Sequence, residues 1–352
     1  MNDLIRAMFR NYVPYKVSPQ EYDIILNANE NPLNLFDALP KNEQNDLVSQ
    51  IQFNRYPESD NTALRETYAN YIGRKAEEVL AGVGSDEIIR MIADLFLENN
   101  DVVIANTPTF SMYQTITEFS KGQFIGIPPK DDMFAPDIDQ LISVANQYHA
   151  KVIFICTPNN PTGYLWKKED LIKVIDSTAG MVVIDEAYID FADENNLSLI
   201  DYSKRVIILR TLSKAFALAG ARVGFAIADQ ETIGYLSMVK IPYNLNSYSQ
   251  KAAQLVLENI DIVKQQIAVL KQQREILVNA LQQFNGKIKI YPSSANFVLI
   301  STVHLEKIKA VAEAHKISLR YMGNEIPDAI RISIGTPEEN EALIKIFTEV
   351  LS

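Results

Sequence analysis

Short apolar runs recur along the chain at 101–105, 123–127, 151–156, 181–184, 205–209 and 223–227, each followed by polar or turn-forming residues. Runs of this length that do not alternate with polar residues predict strands buried on both faces. A further short strand at 79–83 ends in Gly84-Ser85-Asp86 and leads into an apolar helix over 88–97. Helical periodicity marks 60–72 ahead of these runs and places helical spacers between them, especially at 168–177, and right-handed crossovers then give a largely parallel sheet. The run at 223–227 follows 205–209 so closely that antiparallel pairing is expected there.

From 229 to 285 the pattern is helical, with 249–284 only weakly broken, as for a helix connecting two domains. Beyond it, strands are expected at 287–291, 296–300, 317–321 and 330–334, and helices at 305–315 and 338–351. The expected architecture is α/β: a large domain over 30–245 built on a mostly parallel seven-stranded sheet, plus a smaller α+β domain. The smaller domain takes 246–352 together with 1–29, whose first 26 residues read as a short helix and a tyrosine-rich arm.

Composition narrows the class of protein. At 352 residues and 47% hydrophobic content the chain can bury the cores of both domains. Its 33 Lys and Arg against 44 Asp and Glu give a net charge of -11, with no basic patch, which argues against nucleic-acid or membrane-surface partners. An anionic ligand would need a focused cluster of arginines. The single cysteine, Cys156, lies inside an apolar run and reads as a core residue of a reducing compartment. No segment approaches the length of a membrane span, so a cytoplasmic enzyme is expected. His149, His304 and His315 are scattered without ligand spacing, and no metal is expected.

The polar chemistry gathers where strands end. The 151–156 run leads into Asn160-Pro161-Thr162-Gly163, the 181–184 run into Asp185-Glu186-Ala187-Tyr188, and the 205–209 run into Thr211-Leu212-Ser213-Lys214. In a parallel sheet these ends share one edge, where such folds bind ligands. The hydroxyls of Thr211 and Ser213 and the guanidinium of Arg222 suit a phosphate, while the Lys214 amine suits a carbonyl carbon. Pyridoxal 5′-phosphate (PLP) combines both groups. Its pyridine nitrogen needs a carboxylate, which Asp185 supplies, and its phenolic O3′ needs donors, which Asn160 and Tyr188 supply. Plainer readings stand beside these: a helix cap for Asp185, a turn for Asn160, and a capped helix start for Ser85 or Asp86. A nicotinamide-binding loop at 82–87 is weak, because Glu87 stands where a third glycine belongs.

Those three segments resemble the signatures of fold-type I PLP-dependent aminotransferases of class II. The stretch from Leu209 to Arg222 resembles the histidinol-phosphate aminotransferase family, as do Pro14-Tyr15, 27–32, Arg55-Tyr56-Pro57-Glu58, Pro108-Thr109-Phe110, Leu319-Arg320 and 331–340. The resemblance implies that Lys214 bonds the cofactor, Asp185 meets the pyridine nitrogen, Asn160 and Tyr188 meet O3′, and Phe110 stacks on the ring. Tyrosine is frequent in the family at Phe110. It further implies a phosphate site made of Gly84, Ser85, Asp86, Thr211, Ser213 and Arg222, with Tyr56 entering from the other subunit of a homodimer. Tyr15, Asn29, Arg320 and Arg331 become substrate-binding residues. The implied substrates are histidinol phosphate and glutamate or 2-oxoglutarate. An aromatic amino acid aminotransferase and a threonine-phosphate decarboxylase are alternatives on the same scaffold; a dehydrogenase or a non-catalytic binding protein would share only the sheet.

Overall fold

The computed structural model describes residues 4–10, 12, 21–49, 51–323 and 325–352. In chain order its strands are β1 (Ile24–Leu26), β2 (Val79–Val83), β3 (Val102–Asn106), β4 (Gln123–Ile127), β5 (Val152–Cys156), β6 (Met181–Asp185), β7 (Val206–Thr211) and β8 (Val223–Ala228). A second group follows: β9 (Lys289–Ile290), β10 (Phe297–Ser301), β11 (Ile317–Tyr321) and β12 (Ala329–Ser333).

Strands β2 to β8 form one seven-stranded sheet in the order β2-β8-β7-β6-β5-β3-β4. Its members are parallel except β8, which runs antiparallel to both β2 and β7. The segment from β7 to β8 is too short for a crossover helix, so the chain turns straight back. Strands β5, β7 and β8 are buried along their whole length. Successive side chains in them alternate between two cores. Ile153, Ile184, Ile208 and Phe225 face one core with helices Thr62–Ile72, Ile138–Gln147 and Lys168–Ser177. Val152, Val183, Ile207 and Ala226 face the other, with helices Gly84–Phe96, Met112–Phe119 and Gln230–Val239. The sheet is thus covered on both faces, which is why its apolar runs do not alternate.

The smaller sheet has the order β1-β11-β12-β10-β9. β1 joins β11 in parallel, so the end of the N-terminal segment is stitched into the C-terminal sheet, Ile24 opposite Ile317 and Leu26 opposite Leu319. Helices Ile260–Gln282, Leu305–Ala314 and Pro337–Leu351 pack with this sheet in one continuous core. Among the described residues no helix is long and apolar enough to cross a membrane.

Three boundaries differ from expectation. The 249–284 stretch is two helices, Ser247–Glu258 and Ile260–Gln282, separated by Asn259. The amide of Asn259 donates to the Leu255 carbonyl at 3.0 Å and ends the first helix, a competition typical of short polar side chains. The 287–291 strand shrinks to Lys289–Ile290. The helix expected at 88–97 begins at Gly84, so Ser85 and Asp86 lie in its first turn and neither caps it; the N-cap position is Val83.

Candidate active site

A cavity of about 400 Å³ opens at the C-terminal edge of the parallel strands, reached from the other side by β11 and β12. It is lined by Asn29, Ser85, Asp86, Phe110, Asn160, Asp185, Tyr188, Thr211, Ser213, Lys214, Arg222, Arg320 and Arg331. A larger open groove, about 1520 Å³, runs beside β9 and shares none of these residues.

Lys214 sits in the loop after β7. Its Nζ donates to the Ala28 carbonyl at 2.8 Å and lies 5.8 Å from the centre of the Tyr188 ring. Burial, and next the charge of Arg331, lowers its pKa from 10.5 to about 8. An amine in that range can shed and regain a proton near neutral pH.

Asp185 closes β6 and is 3% exposed. Its Oδ2 accepts from the Tyr113 hydroxyl at 2.6 Å and its Oδ1 from the Ala187 N–H at 3.1 Å. Burial outweighs these bonds and raises its pKa from 3.8 to about 6. Tyr113 itself is fully buried, stacked on Phe154 at 4.5 Å and edge-on to Phe110 at 5.6 Å. Sequence reasoning passed over Tyr113, which lies three positions after Phe110, in the first turn of helix Met112–Phe119.

Tyr188 is also buried, and burial pushes its phenol up to about 12. Its oxygen accepts from Asn29 Nδ2 at 3.0 Å. Asn160, in the loop after β5, accepts at Oδ1 from Arg331 Nη1 at 2.5 Å, while Arg331 Nη2 donates to the Asn27 carbonyl at 2.8 Å. Arg320 on β11 is the cross-strand partner of Arg331 on β12, and both reach the cavity. Like charges directly opposite on a sheet destabilise it, and an anion between them reverses that.

At the other end, Arg222 adopts a left-handed backbone conformation, φ 54°. Its Nη2 donates to Asp86 at 3.1 Å and its Nη1 to Ser213 Oγ at 3.4 Å. The Thr211 hydroxyl is 3.0 Å from Ser213 Oγ. These groups surround the N-terminus of helix Gly84–Phe96, whose first N–H groups and dipole favour an anion. The glycines here leave no room for side chains. A Cβ on Gly84 would stand 2.7 Å from Arg222 Nη2, and one on Gly224 2.5 Å from the backbone of Gly84 and Ser85. Gly224→Ala is therefore expected to cost about 1–3 kcal/mol of stability, the usual range for overpacking, and to weaken PLP binding. Denaturant melts and a PLP titration would show this, and unchanged values for both would mean that the cradle yields freely.

Of the expected site residues, Gly84 and Tyr56 are not among those that line the cavity. Tyr56 is 82% exposed and stacks on Tyr243 at 4.8 Å. Tyr15 lies outside the described residues.

A buried carboxylate, a lysine poised near neutral pH and an anion cradle at a helix start fit the three functional ends of PLP. The pattern of the family described as aminotransferase class I and II matches residues 22–347, and the chain belongs to that family. It is a PLP-dependent aminotransferase of fold-type I. It is 35% identical, over the full length of both chains, to a histidinol-phosphate aminotransferase of Caldanaerobacter subterraneus subsp. tengcongensis. Among solved structures, the fold is similar to that of histidinol-phosphate aminotransferase from Sinorhizobium meliloti in complex with PLP, with TM-score 0.84, 21% identity, and 96% and 95% of the two chains covered. It is also similar to that of L-threonine-O-3-phosphate decarboxylase from Porphyromonas gingivalis, with TM-score 0.78, 20% identity, and coverage of 93% and 98%. The fold is therefore common to more than one reaction.

Proposed function

We propose that the enzyme transfers an amino group between L-histidinol phosphate and 2-oxoglutarate, giving imidazole acetol phosphate and L-glutamate in L-histidine biosynthesis. The observation that carries this reading is the opposed pair Arg320 and Arg331 in the cavity wall. Two guanidiniums on adjacent strands can fork onto the phosphate of one substrate or a carboxylate of the other. The full-length similarity to curated histidinol-phosphate aminotransferases supports it.

When bound, PLP supplies a carbonyl carbon for the substrate amine and an electron sink for the charge left when the α-proton departs. In this reading Asp185 holds the pyridine nitrogen, with Tyr113 fixing the carboxylate, and Asn160 and Tyr188 hold O3′. Phe110 supports the ring face. The backbone at Gly84, Ser85 and Asp86, with Thr211, Ser213 and Arg222, holds the phosphate. Lys214 moves the proton at the substrate Cα. One cavity serves amine donor and 2-oxo acid in turn, so ping-pong kinetics are expected.

The large sheet with its helices, residues 30–245, forms the cofactor-binding part, and 246–352 with the arm 1–29 carries the substrate arginines. The proposal includes a cytoplasmic homodimer in which Tyr56 reaches the partner's phosphate site. Phe53, Tyr56, Met238, Ile241 and Tyr243 are exposed apolar side chains, and a stack of Tyr56 on Tyr243 joins their two segments. Such a patch is out of place on a monomer surface. Sedimentation of the active enzyme as a monomer would refute the dimer.

The substrate reading is tested by the visible spectrum of the PLP-loaded enzyme on separate addition of L-histidinol phosphate, glutamate or phenylalanine. Loss of the visible band at far lower histidinol phosphate than phenylalanine is expected. A preference for phenylalanine would make the enzyme an aromatic aminotransferase, and no response to glutamate would favour a decarboxylase.

A further inference from the structure

Tyr188 serves O3′ of the cofactor only if its phenol proton points into the cavity, and the hydrogen bonds behind it decide where that proton goes. Asn29 is the hydrogen-bond partner of its oxygen, 1% exposed, with its backbone in the left-handed region at φ 54°. The Asn29 backbone N–H donates to Ser333 Oγ at 2.8 Å. Having accepted there, the Ser333 hydroxyl turns its own proton onto Asn29 Oδ1 at 3.3 Å. The amide is thereby fixed with Oδ1 toward Ser333 and Nδ2 toward the Tyr188 oxygen. An amide nitrogen only donates, so the phenol oxygen must accept from it. Its own proton has to leave in another direction, and the ring borders the cavity. The raised pKa of Tyr188 keeps that proton in place at neutral pH.

We propose that Ser333 and Asn29 form a positioning pair that sets the direction of the Tyr188 phenol proton, aiming it into the cavity at the phenolic oxygen of bound PLP. This rests on the reading of Tyr188 as an O3′ partner, and it moves Asn29 from the substrate contacts to the groups that act through another residue. Ser333 is two residues beyond Arg331 on β12, and Asn29 two beyond Asn27, whose carbonyl Arg331 holds. Side chains two apart on a strand share a face. One strand therefore carries both a substrate arginine and the anchor of the phenol.

The test is Asn29→Asp in the PLP-loaded enzyme, read as the pH midpoint of the cofactor's visible absorbance change. Aspartate tolerates the left-handed backbone, so the loop is kept. Its carboxylate only accepts, so Tyr188 turns its proton to it and away from the cofactor. A donor on the phenolic oxygen drains charge from the ring and lowers that midpoint, so losing it raises the midpoint. Asn29→Asp is expected to shift it upward, in the direction of Tyr188→Phe, and to add no shift in the Tyr188→Phe background. Equal shifts in both backgrounds would mean that the new charge acts directly, and would overturn the proposal. Ser333→Ala removes the anchor without adding charge and is expected to give a smaller upward shift; it decides alone if Asn29→Asp does not fold. Unmoved midpoints in these variants sink the pair. A wild type that forms no visible band with PLP sinks the cofactor reading first.

Discussion

Replacing Lys214 with alanine is expected to lower turnover by about 10⁴-fold, the upper end of what a positioned acid–base group supplies, while the protein stays folded. The lysine meets the reaction in a specific condition. Burial and the neighbouring Arg331 bring its pKa down to about 8, and the Ala28 carbonyl holds the amine beside the Tyr188 ring. Among the described residues no other amine lines the cavity, and the nearby guanidiniums cannot lose a proton near neutral pH. The linkage sign supports an intact fold. The folded pKa lies below the unfolded value of 10.5, so protonated Lys214 opposes folding below about pH 8, and that cost disappears as pH rises through 10.5. The cofactor-free Lys214→Ala protein should therefore melt no lower than wild type at pH 7. Near-normal turnover in this variant, with the fold confirmed by the melt, would remove Lys214 from the reaction and the aminotransferase mechanism with it.

The sequence shows which strands exist and which loops carry chemistry, because both follow from local rules. Unalternating runs such as 206–209 mark strands covered on both faces, and three of them end in the segments that hold Asn160, Asp185 and Lys214. The antiparallel return of β8 was legible from the shortness of the preceding connection. Register was not. Arg320 and Arg331 oppose each other only because β11 and β12 pair at that offset, and nothing in the intervening residues states it. Tyr113 meets Asp185, and Asn29 meets Tyr188, across long stretches of chain, through packing that no local pattern encodes. Asn246 and Asn259 were absorbed into a helical pattern, although the first caps helix Ser247–Glu258 by accepting from Ser249 N–H and the second ends it. Ser85 and Asp86 erred the other way: residues that favour caps lie in the first turn, where their backbone faces the anion cradle.

Asp185→Asn separates what the site does for the fold from what it does for the reaction. The Asp185 carboxyl is 3% exposed, and burial raises its pKa from 3.8 to about 6 despite the bonds from Tyr113 and Ala187. A folded pKa above the unfolded one means that the contribution to stability is fully present below about pH 3.8 and lost as pH rises through about 6. At pH 8 the cofactor-free enzyme carries a buried charge that the amide variant lacks. The rise from 3.8 to about 6, which already includes the Tyr113 and Ala187 bonds, corresponds to at most about 3 kcal/mol at 1.36 kcal/mol per pH unit. Cofactor-free Asp185→Asn is therefore expected to be more stable than wild type at pH 8 and to match it at pH 3.5, as read by urea melts at the two values. Loaded with PLP the order reverses, because an amide cannot hold a proton on the pyridine nitrogen as a carboxylate does. Turnover should fall by about 10²–10³-fold, the range for losing one preorganised electrostatic partner. A variant less stable than wild type at pH 8 without cofactor would show that Asp185 is a structural anchor, and one that turns over normally when loaded would show that the pyridine nitrogen lies elsewhere. The two readouts together test whether this carboxylate is held at a cost to the empty fold that the cofactor's ring nitrogen offsets.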